Sequence, residues 1–304
     1  MKVGCIIQGD IRRGSEFVLQ ELPKLFDFTV LSTWKSDEER VPAGQFSVIL
    51  NDKPVVAGPS HRNYQRLSTA RGVHAAKDAG CDYVLKWRTD MLPTRLDVQQ
   101  LVQWANFDVP PGMKSRIVMP AFRNLTVEPD WFSSIPDLFS FAHIDVMEML
   151  WGDRDFDYSL QMNLPKMMRE FLRNNPHLNE NLGEIYCAES ELYAIFKDRL
   201  QSNFGANISH ESICKNYFRL FDDQRLNIFW FDQLSGFRSI KQAWEHPWWT
   251  EAIWALGKPD TLPCGYPVKG FVNRLNAATS SGRCYMDELR QRVMWRFARP
   301  SRFR

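Results

Sequence analysis

A single carboxylate, Asp90, closes the run Tyr83-Val84-Leu85-Lys86-Trp87-Arg88-Thr89-Asp90, with cations two and four positions before it. The run starts apolar and β-prone and ends charged, as a buried strand does when its carboxyl end reaches solvent. Ligands of open α/β sheets bind in the crevice outside the carboxyl ends of the strands, so Lys86, Arg88 and Asp90 fall where a substrate would meet the protein. A second such place follows the first strand. Gln8-Gly9-Asp10-Ile11-Arg12-Arg13-Gly14-Ser15 reads as a loop with backbone donors and two arginines, suited to a nucleotide or phosphate. It lacks the lysine of a phosphate loop and also G-x-G-x-x-G, which argues against a P-loop hydrolase and a dinucleotide dehydrogenase. Trp34, ending Val30-Leu31-Ser32-Thr33-Trp34, either lines a nucleobase pocket or joins the core. Asn51-Asp52 ends the next strand, within reach of a ribose. In the second half, Ala188-Glu189-Ser190-Glu191 opens a helix, where carboxylates sit well against the helix dipole.

The elements that must position these groups alternate. Val3 to Gln8 is a nearly continuous apolar run of the kind a buried parallel strand shows. A helix disturbed by Pro23 follows, then strands at Phe28 to Thr33 and Phe46 to Leu50. The helix opening at Asn63 is stopped by Gly80, an αL cap, before the strand at Tyr83 to Trp87. A helix over Leu96 to Ala105 and a strand at Ile117 to Pro120 complete the first half. The second half is more helical, with helices at Ile144 to Leu150, Leu164 to Arg173, Glu189 to Leu200 and Ser212 to Leu220, and a strand at Leu226 to Phe231. This alternation predicts an α/β fold with a mostly parallel sheet flanked by helices. Past about Ser235 the chain is rich in Trp, Pro and Gly and reads as an irregular appendage.

Composition sets outer limits. A chain of 304 residues with 44% hydrophobic residues can bury a large core, and a net charge of +2 gives no general attraction to nucleic acid. The six cysteines, at 5, 81, 187, 214, 264 and 284, show no zinc-ligand spacing. With a first strand in place of a secretory signal, they predict a reducing cytoplasm. No apolar run reaches the length of a membrane span. The terminal segment, with Arg290, Arg292, Arg296, Arg299, Arg302 and Arg304 interleaved with Trp295, Phe297 and Phe303, suits an anionic membrane surface or a lipid-linked polyanionic acceptor.

Asn63-Tyr64-Gln65-Arg66-Leu67-Ser68-Thr69-Ala70-Arg71-Gly72, followed by the Tyr83 to Asp90 run, resembles the signature of the WavE lipopolysaccharide-synthesis family. That signature runs about N-x-x-R-Q-x-x-S-T-x-x-G-L and then Y-V-L-K-x-R-[ST]-D. Gln65-Arg66 stands here for the pattern's Arg-Gln, with Asn63 two positions nearer to Ser68-Thr69 than in the pattern. Further likeness lies in Gln8-Gly9, Val30 to Trp34, Phe139-Ser140-Phe141 before Met149-Leu150-Trp151, and the Glu189 to Tyr193 helix start, spread in order over the first two-thirds of the chain.

The resemblance implies a GT-A-like fold over residues 1–235, with a nucleotide-binding half at 1–125, an acceptor half at 126–235, and the appendage at 236–304. It implies a glycosyltransferase that passes a sugar from a nucleotide-sugar donor to a lipopolysaccharide or other surface-polysaccharide acceptor. Such an enzyme would be bacterial and cytoplasmic, peripheral on the inner face of the cytoplasmic membrane. Donor contacts are then expected from Gln8, Gly9, Asp10, Trp34, Asn63, Arg66, Lys86 and Arg88. Asp90 is the ligand expected for a divalent cation, Mn²⁺ or Mg²⁺, which would offset the leaving diphosphate. Arg88-Thr89-Asp90 stands in place of the usual D-x-D, so Arg88, Lys86 or Arg66 is the alternative source of positive charge. Glu189, and after it Glu191, are the carboxylates expected to take the proton of the acceptor hydroxyl if the reaction inverts the anomeric centre. A noncatalytic glycan- or nucleotide-sugar-binding protein of the same fold is the rival reading. A nucleotidyltransferase is a third, without its usual glycine-rich, lysine-containing loop.

Overall fold

In a computed structural model of the protein, the described residues are 1–93 other than 13, 96–120, 133–179, 182, 186–205, 207–221 and 228–230. The expected appendage at 236–304, with its arginine-rich tail, lies outside them, as does Arg13.

The core is one seven-stranded sheet. Its strands in chain order are β1 (Val3–Gln8), β2 (Phe28–Trp34), β3 (Ser47–Asn51), β4 (Tyr83–Arg88), β6 (Ile117–Pro120), β7 (Ser140–His143) and β8 (Phe218–Phe221). They lie side by side as β3-β2-β1-β4-β7-β6-β8. Every pairing is parallel except the two made by β7, which runs antiparallel to β4 and β6. Because β7 and β8 pair with β4 and β6, the two expected halves share this one sheet. A separate two-stranded sheet joins β5 (Met91–Pro93) to β9 (Ile228–Trp230), so the strand expected at Leu226 to Phe231 pairs outside the main sheet.

Helices cover both faces, which is why the central strands are apolar on both sides. On one face α2 (Arg62–Asp78), α4 (Ile144–Trp151), α6 (Ala188–Phe204) and α7 (His210–Asn216) bury Ile6, Val30, Val84 and Ala142 with Val73, Met147, Phe196 and Ile213. On the other, α1 (Ser15–Glu21) and α3 (Val98–Asn106) cover Cys5, Ile7, Leu31, Leu85 and Trp87. The alternation of Cys5, Ile6 and Ile7 between the two cores is the period-two rule of a strand. A smaller cluster around Met168 and Leu172 seats α5 (Lys166–Asn174) against α6. At Gly72 a Cβ would clash with Ile6 of β1, so its missing side chain lets α2 lie close against the sheet.

Two differences from the sequence expectation have a physical cause. The helix expected over Ser212 to Leu220 ends at Asn216, and the chain turns at Tyr217 into β8. Ile213, Tyr217 and Leu220 keep helical spacing, but residues 218–221 pair with β6 in the register Ile117↔Phe218. Likewise Ser140 to His143, four residues without a periodic signal of their own, become β7 by pairing with β4. Pro23 acts as expected, since α1 gives way to a 3₁₀ turn over Leu22–Leu25.

Candidate active site

The carboxyl ends of β3, β2, β1 and β4 lie in a row. From β1 the chain steps outward to β2 and β3, then returns to β4 on the other side of β1, so a crevice opens between β1 and β4. Gln8 is level with both Ser32 and Arg88, and the Thr89 amide donates to the Gln8 carbonyl at 3.2 Å. Gly9 turns away with φ of +120°, and Thr89 Oγ1 donates to the Asp10 carbonyl at 2.7 Å. The loop after β1 and the residues after β4 are thereby fastened together.

Charged side chains converge on this seam. Asp90 is only 2% exposed; Arg88 grips it through Nε at 2.9 Å and Nη2 at 2.8 Å, and Arg12 Nη1 adds a third bond at 3.2 Å. Asp10 lies between Lys53 Nζ, at 2.8 Å, and Arg12 Nη2, at 3.5 Å. Burial works against ionisation of Asp10, but Lys53 and Arg12 together hold its carboxyl below the usual range. Lys53, two residues past the end of β3, reaches across to Asp10 over the rings of Trp34, at 5.4 Å, and Tyr64, at 5.7 Å. Lys53 was not among the expected site residues, although the strand-end rule that points to Asn51-Asp52 applies to it equally.

The loop after β1 offers less backbone than its sequence suggests. The Gly9 amide donates to the Ser32 carbonyl, that of Ile11 to Asp37, that of Arg12 to Ser15 and that of Gly14 to Glu16. Those amides are spent on β2, on Asp37 and on the loop itself, which shifts the meeting with a ligand toward side chains.

Several expected donor contacts are buried behind the seam. Gln8 accepts from Ser68 at 2.9 Å and ties β1 to α2. Trp34 is buried edge-on to Tyr64, with Lys53 across its ring, and presents no open face to a nucleobase. Asn63 is fully buried and donates to the carbonyls of Val56, Tyr158 and Leu160. Arg66 is also buried, 4.8 Å over the Phe156 ring, and donates to the Gly152 carbonyl at 3.1 Å. These side chains brace the crevice from behind. Of the expected donor contacts at the seam, Gly9, Asp10 and Arg88 are partly exposed, whereas the Gln8 side chain is buried.

Lys86 points from β4 into the core with no exposure. Its ammonium donates to the carbonyls of Asp137 and Leu138 and lies 4.9 Å over the Trp151 ring. Burial drives its pKa down to about 7, against the upward pull of Asp137, Asp90 and Glu189, with Arg88 adding to the fall. Glu189, half-buried in the first turn of α6, faces the same group. Its carboxyl is raised by burial and by Asp137, against the pull of Lys86. Between pH 7 and 10.5 the unfolded chain holds a proton on residue 86 that the folded chain does not. Folding stability should therefore rise with pH across that window, by up to about 1.4 kcal/mol per pH unit. In urea unfolding, the stability of wild type minus that of Lys86→Met should increase from pH 7 to pH 9.5, whichever protein is the more stable at pH 7. A constant difference would show that Lys86 is protonated throughout.

Glu191 has a different setting from Glu189. It is fully buried, paired with Arg62 at 2.6 Å, and accepts the Asn163 amide at 2.7 Å. Burial pushes its carboxyl up to about 7 although Arg62 pulls it down. This carboxylate is a strut inside the protein, and the candidate base with solvent access on α6 is Glu189. Around Glu191 a set of cations grips the last turn of α4 and the loop that follows it. Arg62 donates to the carbonyls of Leu160 and Gln161, and Arg199 to those of Met149 and Gly152.

A resident divalent cation needs several oxygen ligands that are not otherwise committed. Both Asp90 oxygens accept from guanidinium groups, and those of Asp10 face Lys53 and Arg12. Among the described residues, no group of three or more His, Cys, Asp or Glu is placed to share a metal ion. The residues at the seam therefore do not fit such an ion in this arrangement.

No family model and no curated protein matches the chain. Among solved structures it is similar to mannose-1-phosphate geranyltransferase from Thermus thermophilus, at 14% identity and a TM-score of 0.33 over 64% of this chain and 68% of that one. It is similar also to a cytidylyltransferase from Leptospira borgpetersenii serovar Hardjo-bovis, at 15% identity and 0.30 over 62% and 74%. A third is a glycosyltransferase involved in the glycosylation of the major capsid of PBCV-1, at 8% identity and 0.28 over 51% and 68%.

Proposed function

We propose that the protein is a GT-A-type glycosyltransferase that moves a sugar from a nucleotide-sugar donor to a lipopolysaccharide or other surface-polysaccharide acceptor. The observation that carries this reading is the seam between β1 and β4, where Arg12, Arg88 and Lys53 gather at the switch point of a mostly parallel sheet. Cations fixed there are suited to the charge that develops on a departing diphosphate. Glu189, whose burial raises its carboxyl, is the group to accept the acceptor's proton. The acceptor class rests on the resemblance of Asn63 to Gly72 and Tyr83 to Asp90 to the WavE signature. Membrane contact through the arginine-rich tail belongs to the same reading. No helix of the described residues is long and apolar enough to cross a membrane.

The test is a thermal-shift panel of nucleotide sugars, with and without Mn²⁺. One nucleotide sugar should raise the melting temperature in a concentration-dependent way, by the linkage that stabilises any liganded native state. It should also be hydrolysed slowly to sugar and nucleoside diphosphate when no acceptor is present. Stabilisation without hydrolysis or transfer would favour the noncatalytic binding protein; no stabilisation by any member would sink the proposal.

A further inference from the structure

We propose that the seam binds the donor's diphosphate directly through Arg12 and Lys53, with no divalent cation between protein and phosphate. This rests on the nucleotide-sugar reading above and assigns the anion site within it.

Three features carry the inference. The first is the balance of charge: among the described residues, Arg12, Arg88 and Lys53 face Asp10 and Asp90, three cations to two carboxylates. Such a cluster repels a divalent cation and attracts a diphosphate. The second is exposure. Asp90, the residue at the D-x-D position, is 2% exposed, whereas the side chains of Arg12 and Lys53 are 41% and 40% exposed. The carboxylate that would hold a metal is inside, and the cations that would hold a phosphate are outside. The third is preorganisation. Asp10 lies between Arg12 and Lys53 and keeps both aimed at one place, while Asp90 anchors Arg12 from below. Asp90 is then a positioning residue and not a metal ligand. The amides of Gly9, Ile11, Arg12 and Gly14 are already used within the protein, which puts more of the phosphate contact on these two side chains. Lys86 and Arg66, the other expected sources of positive charge, are too deeply buried to contribute by contact.

Calorimetric titration of the full chain with UDP, GDP, CDP and inorganic pyrophosphate, in EDTA and again in Mn²⁺, tests this. At least one nucleoside diphosphate should bind in EDTA about as tightly as in Mn²⁺, and its affinity should fall with added salt. Lys53→Met keeps the stem over Trp34 and Tyr64 but removes the charge, and should weaken that binding about tenfold or more. The unliganded melting temperature should stay nearly unchanged, and Lys53→Arg should restore most of the affinity. Binding that requires Mn²⁺ and is lost in Asp90→Asn would overturn the inference while leaving the glycosyltransferase reading in place. So would Lys53→Met binding with wild-type affinity. Failure of every nucleoside diphosphate and nucleotide sugar to bind, with or without Mn²⁺, would overturn both.

Discussion

Glu189→Gln should slow sugar transfer by about 10²–10⁴-fold, the usual contribution of a positioned acid or base, while donor affinity stays essentially unchanged. Glutamine keeps the size and hydrogen-bonding reach of the side chain but cannot take up a proton. Glu189 suits the task because it combines partial exposure at the start of α6 with a carboxyl raised by burial and by Asp137. A raised pKa makes the ionised form a stronger base at neutral pH. Single-turnover rates with saturating donor, set beside a donor titration of the same variant, separate the two effects. A variant that turns over at the wild-type rate would remove Glu189 from the chemistry.

Two positions along the same helix, the expected effect is on folding. Glu191→Ala removes one partner of a fully buried ion pair, leaving the Arg62 guanidinium without its counter-charge and the Asn163 amide without its acceptor. Breaking such a pair costs about 3–5 kcal/mol, because a charge is left uncompensated in the interior. For a chain of this size that lowers the melting temperature by roughly 10 °C. The double variant Arg62→Leu/Glu191→Leu removes both charges and should be more stable than Glu191→Ala alone. Urea unfolding of the two variants and wild type decides the point: equal loss in single and double variants would show that packing, not the stranded charge, sets the cost.

The central strands are legible from the chain because burial on both faces writes them as largely apolar runs. Val3 to Gln8, Tyr83 to Arg88 and Ile117 to Pro120 all fold as that pattern implies. β7 and β8 are not legible in this way, since each is four residues long and is settled by a partner distant in sequence. The same division runs through the candidate site. The strand-end rule finds Asp10, Arg88 and Asp90 because it needs only the local pattern. It does not reveal that Asp90 lies beneath Arg12, 78 positions away, or that Lys53 reaches Asp10 across β2. Lys86 and Arg66 mislead for a related reason. Cations are rarely buried without partners, so a sequence reading places them at the surface. Here carbonyl oxygens and the faces of Trp151 and Phe156 supply those partners inside.

The grip on the loop after α4 has one property that an ordinary packed loop lacks. Arg62, Asn63, Arg66 and Arg199 donate to main-chain oxygens of Gly152, Tyr158, Leu160 and Gln161. A carbonyl looks the same whatever residue bears it. At Leu160 and Gln161 these bonds ignore the side chain, so the loop's course there is dictated from α2. The information that shapes this stretch is stored in another part of the chain, as a mould holds the form of a casting.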